Sequence, residues 1–111
     1  MAECQYVNVC RAAEVVAGRA KQVFVGDEPI AICRVNDEFY AVSDICTHDR
    51  FYLSGGSLDG YEIECPRHAT VFDIRTGEVE IPPADKPLPT YPCRVVDGEV
   101  QVGMPVGAGV G

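Results

Sequence analysis

Both histidines of the chain fall in one spaced pattern of cysteine and histidine, and this pattern constrains the fold more than any other feature. Cys46-Thr-His48 is followed by Cys65-Pro-Arg-His68, with 16 residues between His48 and Cys65. Each half supplies one thiolate and one imidazole, and both groups are common metal ligands. Because each half is so short, a shared centre requires the fold to bring two tight loops to one spot.

Two kinds of metal centre use two cysteines and two histidines, namely zinc sites and two-iron, two-sulfur clusters of the Rieske type. Zinc fingers usually pair Cys with Cys in one half and His with His in the other, whereas each half here is mixed. Mixed halves suit a cluster that has two thiolates on one iron and two imidazoles on the other. A structural zinc site, a Cys–His nucleophilic pair, and buried cysteines beside ordinary surface histidines are the alternatives.

The remaining sequence is typical of an all-β domain. Its 111 residues suffice for one domain, and 11 Gly and 8 Pro separate short runs rich in Val, Ile, Tyr and Phe. Asp97-Gly98 is a strong signal for a two-residue hairpin turn. Proline cannot donate to a central ladder, so the Pro-rich loop 81–89 is expected at an edge or over the surface. The predicted strands are 5–10, 21–25, 29–35, 38–43, 93–96 and 99–102, with a hairpin-like piece at 57–64 and one helical turn within 11–18.

The charge of the chain limits its partners. A net charge of −8 and a pI of about 4.5 argue against nucleic acid and against an anionic membrane surface, and they favour a partner with a basic face. No apolar run approaches about 18 residues, and the start of the chain lacks the basic and apolar regions of a signal peptide. The expected location is therefore the cytoplasm, where the six cysteines serve metal or redox chemistry better than disulfides.

Around the Cys/His pattern, the sequence resembles the Rieske ferredoxins, in particular the soluble ferredoxin components of bacterial aromatic-ring dioxygenase systems. The resemblance covers about residues 6–102. The segments that carry it are Phe39-Tyr-Ala-Val-Ser-Asp-Ile-Cys-Thr-His48, Glu62-Ile-Glu-Cys-Pro-Arg-His68, Phe72-Asp-Ile-Arg-Thr-Gly77, Pro82-Pro-Ala and Leu88-Pro-Thr-Tyr91.

The resemblance implies one Rieske 2Fe-2S cluster, with Cys46 and Cys65 on the inner iron and His48 and His68 on the outer iron. It also implies the Rieske fold, an antiparallel β-sandwich base into which a small cluster-binding subdomain is inserted at about 44–77. The whole domain is expected at 1–103. Residues 104–111, rich in glycine, are expected to form a flexible tail. The Pro-rich loop would shield the cluster as a third loop.

One departure separates this chain from the Rieske proteins of respiratory complexes, which carry an extra disulfide between the two cluster loops. The matching positions here are Phe51 and Arg67, so this disulfide cannot form. Phe72 stands where those proteins have a tyrosine that donates to the cluster. With fewer donors, the reduced cluster is less stabilised, and a potential toward the low end of the Rieske range is expected. Thr70 remains a candidate donor to a cluster sulfide.

The function implied by the resemblance is single-electron transfer from an NAD(P)H-dependent flavoprotein ferredoxin reductase to a terminal Rieske oxygenase. The chain would be a carrier rather than an enzyme, and a monomer, since it must dissociate from both partners. The alternatives are the Rieske-type small subunit of a nitrite reductase and a zinc-stabilised Cys2His2 interaction module without a redox role.

The other singled-out residues have simpler interpretations. Cys33 and Cys93 alternate with apolar neighbours and are expected to face the core as small hydrophobes. Cys4 and Cys10 have no assigned role. The loop residues Asp49, Arg50 and Arg67 are either solvated charges or part of a surface that orients a docking partner.

Overall fold

The protein is built from short antiparallel strands, which confirms the all-β prediction. The structure, a computed structural model, describes residues 4–47, 51–66, 70–82 and 84–105, and across these ranges it contains two single 3-10 turns but no α-helix. No helix in these ranges is long and apolar enough to cross a membrane. The strands are β1 Cys4–Arg11, β2 Ala20–Val25, β3 Glu28–Val35, β4 Glu38–Ser43, β5 Ser57–Asp59, β6 Glu62–Glu64, β7 Val71–Asp73, β8 Val79–Ile81, β9 Thr90–Tyr91, β10 Cys93–Val96 and β11 Glu99–Pro105. The 3-10 turns span Ala12–Glu14 and Leu53–Gly55.

The strands form three sheets stacked in layers. The first sheet has the order β1-β11-β10 and the second β2-β3-β4-β9, and together they make the base sandwich. The third sheet, β5-β6-β7-β8, spans 57–81 and overlaps the cluster-binding subdomain expected at about 44–77, so this sheet is called the subdomain here.

The middle sheet has an apolar core on each of its faces, because side chains alternate along β3 and both sets are buried. Ile30 and Ile32 point to one side, and Ala31 and Cys33 point to the other. The base core contains Val15, Val23, Ile30, Ile32, Ala41, Val100 and Val102. The second core, on the subdomain side, contains Ala31, Cys33, Val42, Cys46, Leu53, Ile63, Cys65, Phe72, Ile74, Ala84 and Leu88.

The turn chemistry accounts for most of the predicted strands. Asp97 and Gly98 both have positive φ, 51° and 78°, as a two-residue hairpin of the primed type requires.

The predicted tail starts too early: β11 continues through Pro105, where Met104 and Pro105 pair with Gln5 and Cys4. The strands β7, β8 and β9 were not predicted, and the helical turn within 11–18 is only the 3-10 turn given above.

A polar cluster ties the subdomain to the base at the end remote from the Cys/His loops. Glu38 on β4 accepts hydrogen bonds from the hydroxyls of Tyr40 (2.7 Å) and Tyr61 (2.9 Å), the latter in the β5–β6 turn. The two rings meet edge to face at 5.9 Å, and the Arg75 guanidinium lies 4.1 Å from the centre of the Tyr61 ring. The Glu38–Tyr61 hydrogen bond and the contact of the two rings thus join the third sheet to the second.

We expect this cluster to be visible in an alkaline titration. The hydrogen bond to Glu38, followed by desolvation and the repulsion of its negative charge, raises the pKa of Tyr40 to about 12. The raised pKa stabilises the fold below the ordinary tyrosine pKa near 10, and this contribution is lost as the pH rises toward 12. Glu38→Gln should lower the pH of the most alkaline tyrosine transition, measured by ultraviolet absorbance. Glu80→Gln, an exposed glutamate on β8, should leave it in place, and equal titrations of the two variants would contradict this assignment.

Candidate metal centre

The two cysteine loops are closed at their roots in the same way. The Cys46 N–H donates to the Phe51 carbonyl at 3.0 Å, and the Cys65 N–H donates to the Thr70 carbonyl at 3.0 Å. Each cysteine thus bonds to the residue five positions further on. Outside these bonds, Ile45 pairs with Tyr52, and Glu64 pairs with Val71. The described roots of the two halves of the Cys/His pattern are therefore closed in the same way, each at its cysteine.

Both loop cysteines are buried in the second core. Cys46 and Cys65 are each 3% exposed, and neither forms a disulfide. They belong to the same cluster of packed side chains as Phe72 and Ala84. The predicted pair of sulfur ligands thus lies in one apolar core, as a cluster held by two thiolates would require.

The other residues predicted for this site lie outside the described residues. They are His48, Asp49, Arg50, Arg67 and His68. The assignment of His48 and His68 as ligands stays a prediction from the sequence pattern.

The arm that follows the first loop packs directly on the strand that leads into the second. A Cβ atom at Gly56 would lie 1.9 Å from the Glu64 carbonyl oxygen and 3.2 Å from Cδ of Pro66. Only glycine permits this approach of the two backbones. The contact sets how closely residue 56 approaches residue 64, and no sequence prediction included it, although the Gly55-Gly56 pair is a signal of such close packing.

The Pro-rich segment is fastened to both loops as a strap. The Thr47 hydroxyl donates to the Lys86 carbonyl at 2.8 Å, and the Thr70 hydroxyl donates to the Ile81 carbonyl at 2.8 Å. Ala84 and Leu88 insert into the second core, 3% and 2% exposed. The prolines at 82, 87 and 89 remain exposed, as expected for a segment that runs over the surface.

Thr70 does not have the role that its sequence position suggested. Its side chain is fully buried, and its one hydroxyl proton is directed to Ile81. The same oxygen accepts from the Ala84 N–H at 3.1 Å. The hydroxyl is thus used to hold the strap rather than left to donate to a cluster sulfide. Phe72, also fully buried, has no donor to offer.

The remaining described thiols have the properties of core residues rather than ligands. Burial, with smaller contributions from Asp44 and Cys93, raises the pKa of Cys33 to about 12. Burial, and then Cys10, raises the pKa of Cys93 to about 11. Thiols with raised pKa values are poor metal ligands and nucleophiles. The expectation that Cys33 faces the core is confirmed, whereas Cys93 is only half-buried against the base core.

Comparison with known proteins gives a consistent result. The model of the Rieske [2Fe-2S] domain family matches residues 5–92. Ferredoxin CarAc of Metapseudomonas resinovorans is 42% identical over 98 residues, which are 87% of this chain and 92% of CarAc. The ferredoxin of Sphingomonas yanoikuyae B1 superposes with a TM-score of 0.86 at 33% identity, covering 91% of this chain and all of that one.

The structural matches include one relative seen with its partner. The ferredoxin in a complex of reduced oxygenase and oxidized ferredoxin of carbazole 1,9a-dioxygenase has a TM-score of 0.82 at 42% identity, covering 87% of this chain and 91% of that one. The small subunit of an NADH-dependent nitrite reductase from Mycobacterium tuberculosis has a TM-score of 0.81 at only 23% identity, a level that establishes the common fold alone.

Proposed function

Because the chain belongs to the Rieske [2Fe-2S] domain family, we propose that it carries single electrons to the terminal Rieske oxygenase of an aromatic-ring dioxygenase system. It binds one Rieske 2Fe-2S cluster and is an electron carrier rather than an enzyme. The observation that supports the proposal most strongly is the 42% identity to a ferredoxin component over 87% of the chain.

The proposed ligands are Cys46 and Cys65 for the inner iron and His48 and His68 for the outer iron. The burial of both thiols in one core and the equivalent closure of both loops support this set. The cluster supplies the one-electron redox chemistry. The protein supplies two fixed thiolates, an apolar environment and a strap, which together exclude water from the inner side of the site.

The proposed electron donor is an NAD(P)H-dependent flavoprotein reductase, and the proposed location is the cytoplasm. None of the five cysteines whose side chains the structure describes forms a disulfide, as is usual in a reducing compartment. A net charge of −8 would steer the carrier to a basic surface on either partner. A monomer suits a carrier that must leave one partner to meet the other.

The two alternative functions have weaker support. A nitrite reductase subunit shares the fold, but its 23% identity carries no argument about partners. A zinc-stabilised module is disfavoured because the family match includes both cysteine loops.

The test is electron transfer in a reconstituted system of reductase, carrier and oxygenase. The purified protein should have the visible absorption of a Rieske cluster and, after reduction, its electron paramagnetic resonance signal. Adding it should couple NAD(P)H oxidation to turnover of the oxygenase. A colourless zinc protein, or a coloured one that transfers no electron to the oxygenase, would contradict the proposed function.

Charge reversal locates the docking site in the same assay. Arg67→Glu, in the second loop, should slow transfer to the oxygenase without removing the cluster. Glu99→Lys, a control on the base sheet where Glu99 pairs with Arg11 at 3.7 Å, should have a smaller effect. The association rate should also fall as salt increases. Equal effects of the two reversals would exclude the loop tip as the docking site.

A further inference from the structure

Asp44, which no sequence pattern singled out, is a fully buried carboxylate two positions before Cys46. It is 0% exposed, at the point where β4 ends and the first loop begins. An isolated buried carboxylate is costly, so one that persists needs compensating donors. The surroundings of Asp44 provide them.

The Asp44 carboxylate is held by three hydrogen bonds from two segments. The Ser54 N–H donates to Oδ1 at 2.6 Å, and the Ser54 hydroxyl donates to Oδ2 at 2.7 Å. The side-chain amide of Gln22, on β2, donates to Oδ2 at 2.8 Å. All three groups donate, so the site is complementary to a negative charge.

The backbone of Asp44 completes a clamp around the first loop. Its N–H donates to the Pro29 carbonyl at 3.0 Å, and its carbonyl accepts from the Leu53 N–H at 2.8 Å. Asp44 therefore joins the arm before the loop, the arm after it and the middle sheet. These bonds fix the backbone two positions before Cys46.

Asp44 is hydrogen-bonded to Leu53, which belongs to the core that contains both loop cysteines. After burial, which is the larger cause, repulsion from Asp44 raises the pKa of the Cys33 thiol. Cys33 shares the second core with Cys46 and Cys65. One-electron reduction adds a negative charge near this core, and a carboxylate buried away from solvent opposes it.

We propose that Asp44 is a positioning residue for the first cluster loop and that its buried carboxylate keeps the reduction potential of the site low. The inference rests on the proposed function, since it assumes the cluster. The first expected cause of a low potential is the missing hydrogen-bond donor at Phe72. The carboxylate of Asp44 is a second cause, and it acts through its charge and not through a hydrogen bond to sulfur.

The test is the midpoint potential of the cluster-loaded protein. Asp44→Asn should shift the reduction equilibrium on the order of tenfold toward the reduced form, ~59 mV for one electron. Asp27→Asn removes the same charge from the exposed β2–β3 turn and should shift it by less than about twofold. An unchanged potential in Asp44→Asn, or equal shifts in the two variants, would overturn the proposal.

Two further variants separate charge from clamping. Ser54→Ala removes a donor but keeps the carboxylate, so the melting temperature should fall while the potential stays that of the parent protein. If Ser54→Ala raised the potential as much as Asp44→Asn, the charge would not be the cause.

If Asp44→Asn does not hold the cluster, Gln22→Lys offers an ammonium to an intact Asp44. It should raise the potential more than Gln5→Lys on β1, and equal potentials would overturn the proposal.

The failure of this inference is distinguishable from that of the proposed function. A parent protein without the Rieske absorption and resonance signals would refute the proposed function. A parent protein with both signals, whose potential is unaffected by Asp44→Asn, would refute only the role of Asp44.

Discussion

Replacing Cys46 or Cys65 with serine is expected to abolish the visible absorption of the purified protein almost completely and to reduce its iron content to near zero. Each thiol is 3% exposed at the root of its loop, where a serine hydroxyl would be a poor ligand. Loss of one ligand opens an iron to solvent, and metal binding is coupled to the folding of the loops. His48→Ala and His68→Ala are expected to give the same result, measured by iron analysis and by the resonance spectrum.

The matched control is Cys33→Ser, which places the same hydroxyl in the same core. Cys33 is 0% exposed but lies on β3 and not in a loop. This variant should keep its iron and lose about 1–3 kcal/mol of stability, because a hydroxyl is buried there. A Cys46→Ser protein with the full spectrum, or a Cys33→Ser protein that is bleached, would show that the ligands are assigned wrongly.

Gly56→Ala is expected to destabilise the protein by about 1–3 kcal/mol and to make the cluster labile to chelators. The φ of Gly56 is −93°, so alanine is allowed by the backbone and the cost comes from contact alone. The new methyl group would meet the Glu64 carbonyl at 1.9 Å and force the two loops apart. Denaturant unfolding and the rate of iron loss to a chelator measure the two effects.

Gly55→Ala provides the control one residue away. The nearest heavy atom to a Cβ there is Cγ of Pro66 at 3.9 Å, an ordinary contact. Within the 3-10 turn alanine is well tolerated, and the change in stability should stay within about 0.5 kcal/mol. Similar losses in Gly55→Ala and Gly56→Ala would mean that the turn is merely sensitive to substitution and that the loops do not depend on this close approach.

The parts of the fold that could be predicted are those with a local cause. Turn residues such as Asp97-Gly98 delimit the long strands, and the spacing of four ligand-type residues singles out the two loops. The three missed strands have only two or three residues each and lie among prolines, glycines and loop residues, where pairing with neighbours decides the structure. Likewise, β11 continues through Gly103 to Pro105 because β1 pairs with it, against the local composition.

The parts of the site that could not be predicted depend on contacts between distant segments. An aspartate at a strand end is usual in turns, and only the approach of Gln22 and Ser54 makes Asp44 a buried clamp. The sequence made the Thr70 hydroxyl a candidate donor to the cluster. In the structure this hydroxyl donates to the carbonyl of Ile81 in the Pro-rich segment, 11 residues further along. These assignments need the tertiary structure because their partners are set by packing and not by spacing.

Because the middle sheet has an apolar core on each face, neither the subdomain nor the base is expected to be stable without the other. An excised subdomain would leave Ala31 and Cys33 in water, and a base without it would lose the apolar layer that covers one side of β3. Melting of the third sheet would also have to expose that layer, so this sheet and the base are expected to unfold as one cooperative unit. The proposed carrier would thus meet each proposed partner with Cys46 and Cys65 held in the same core, without rearrangement of the described part of the site.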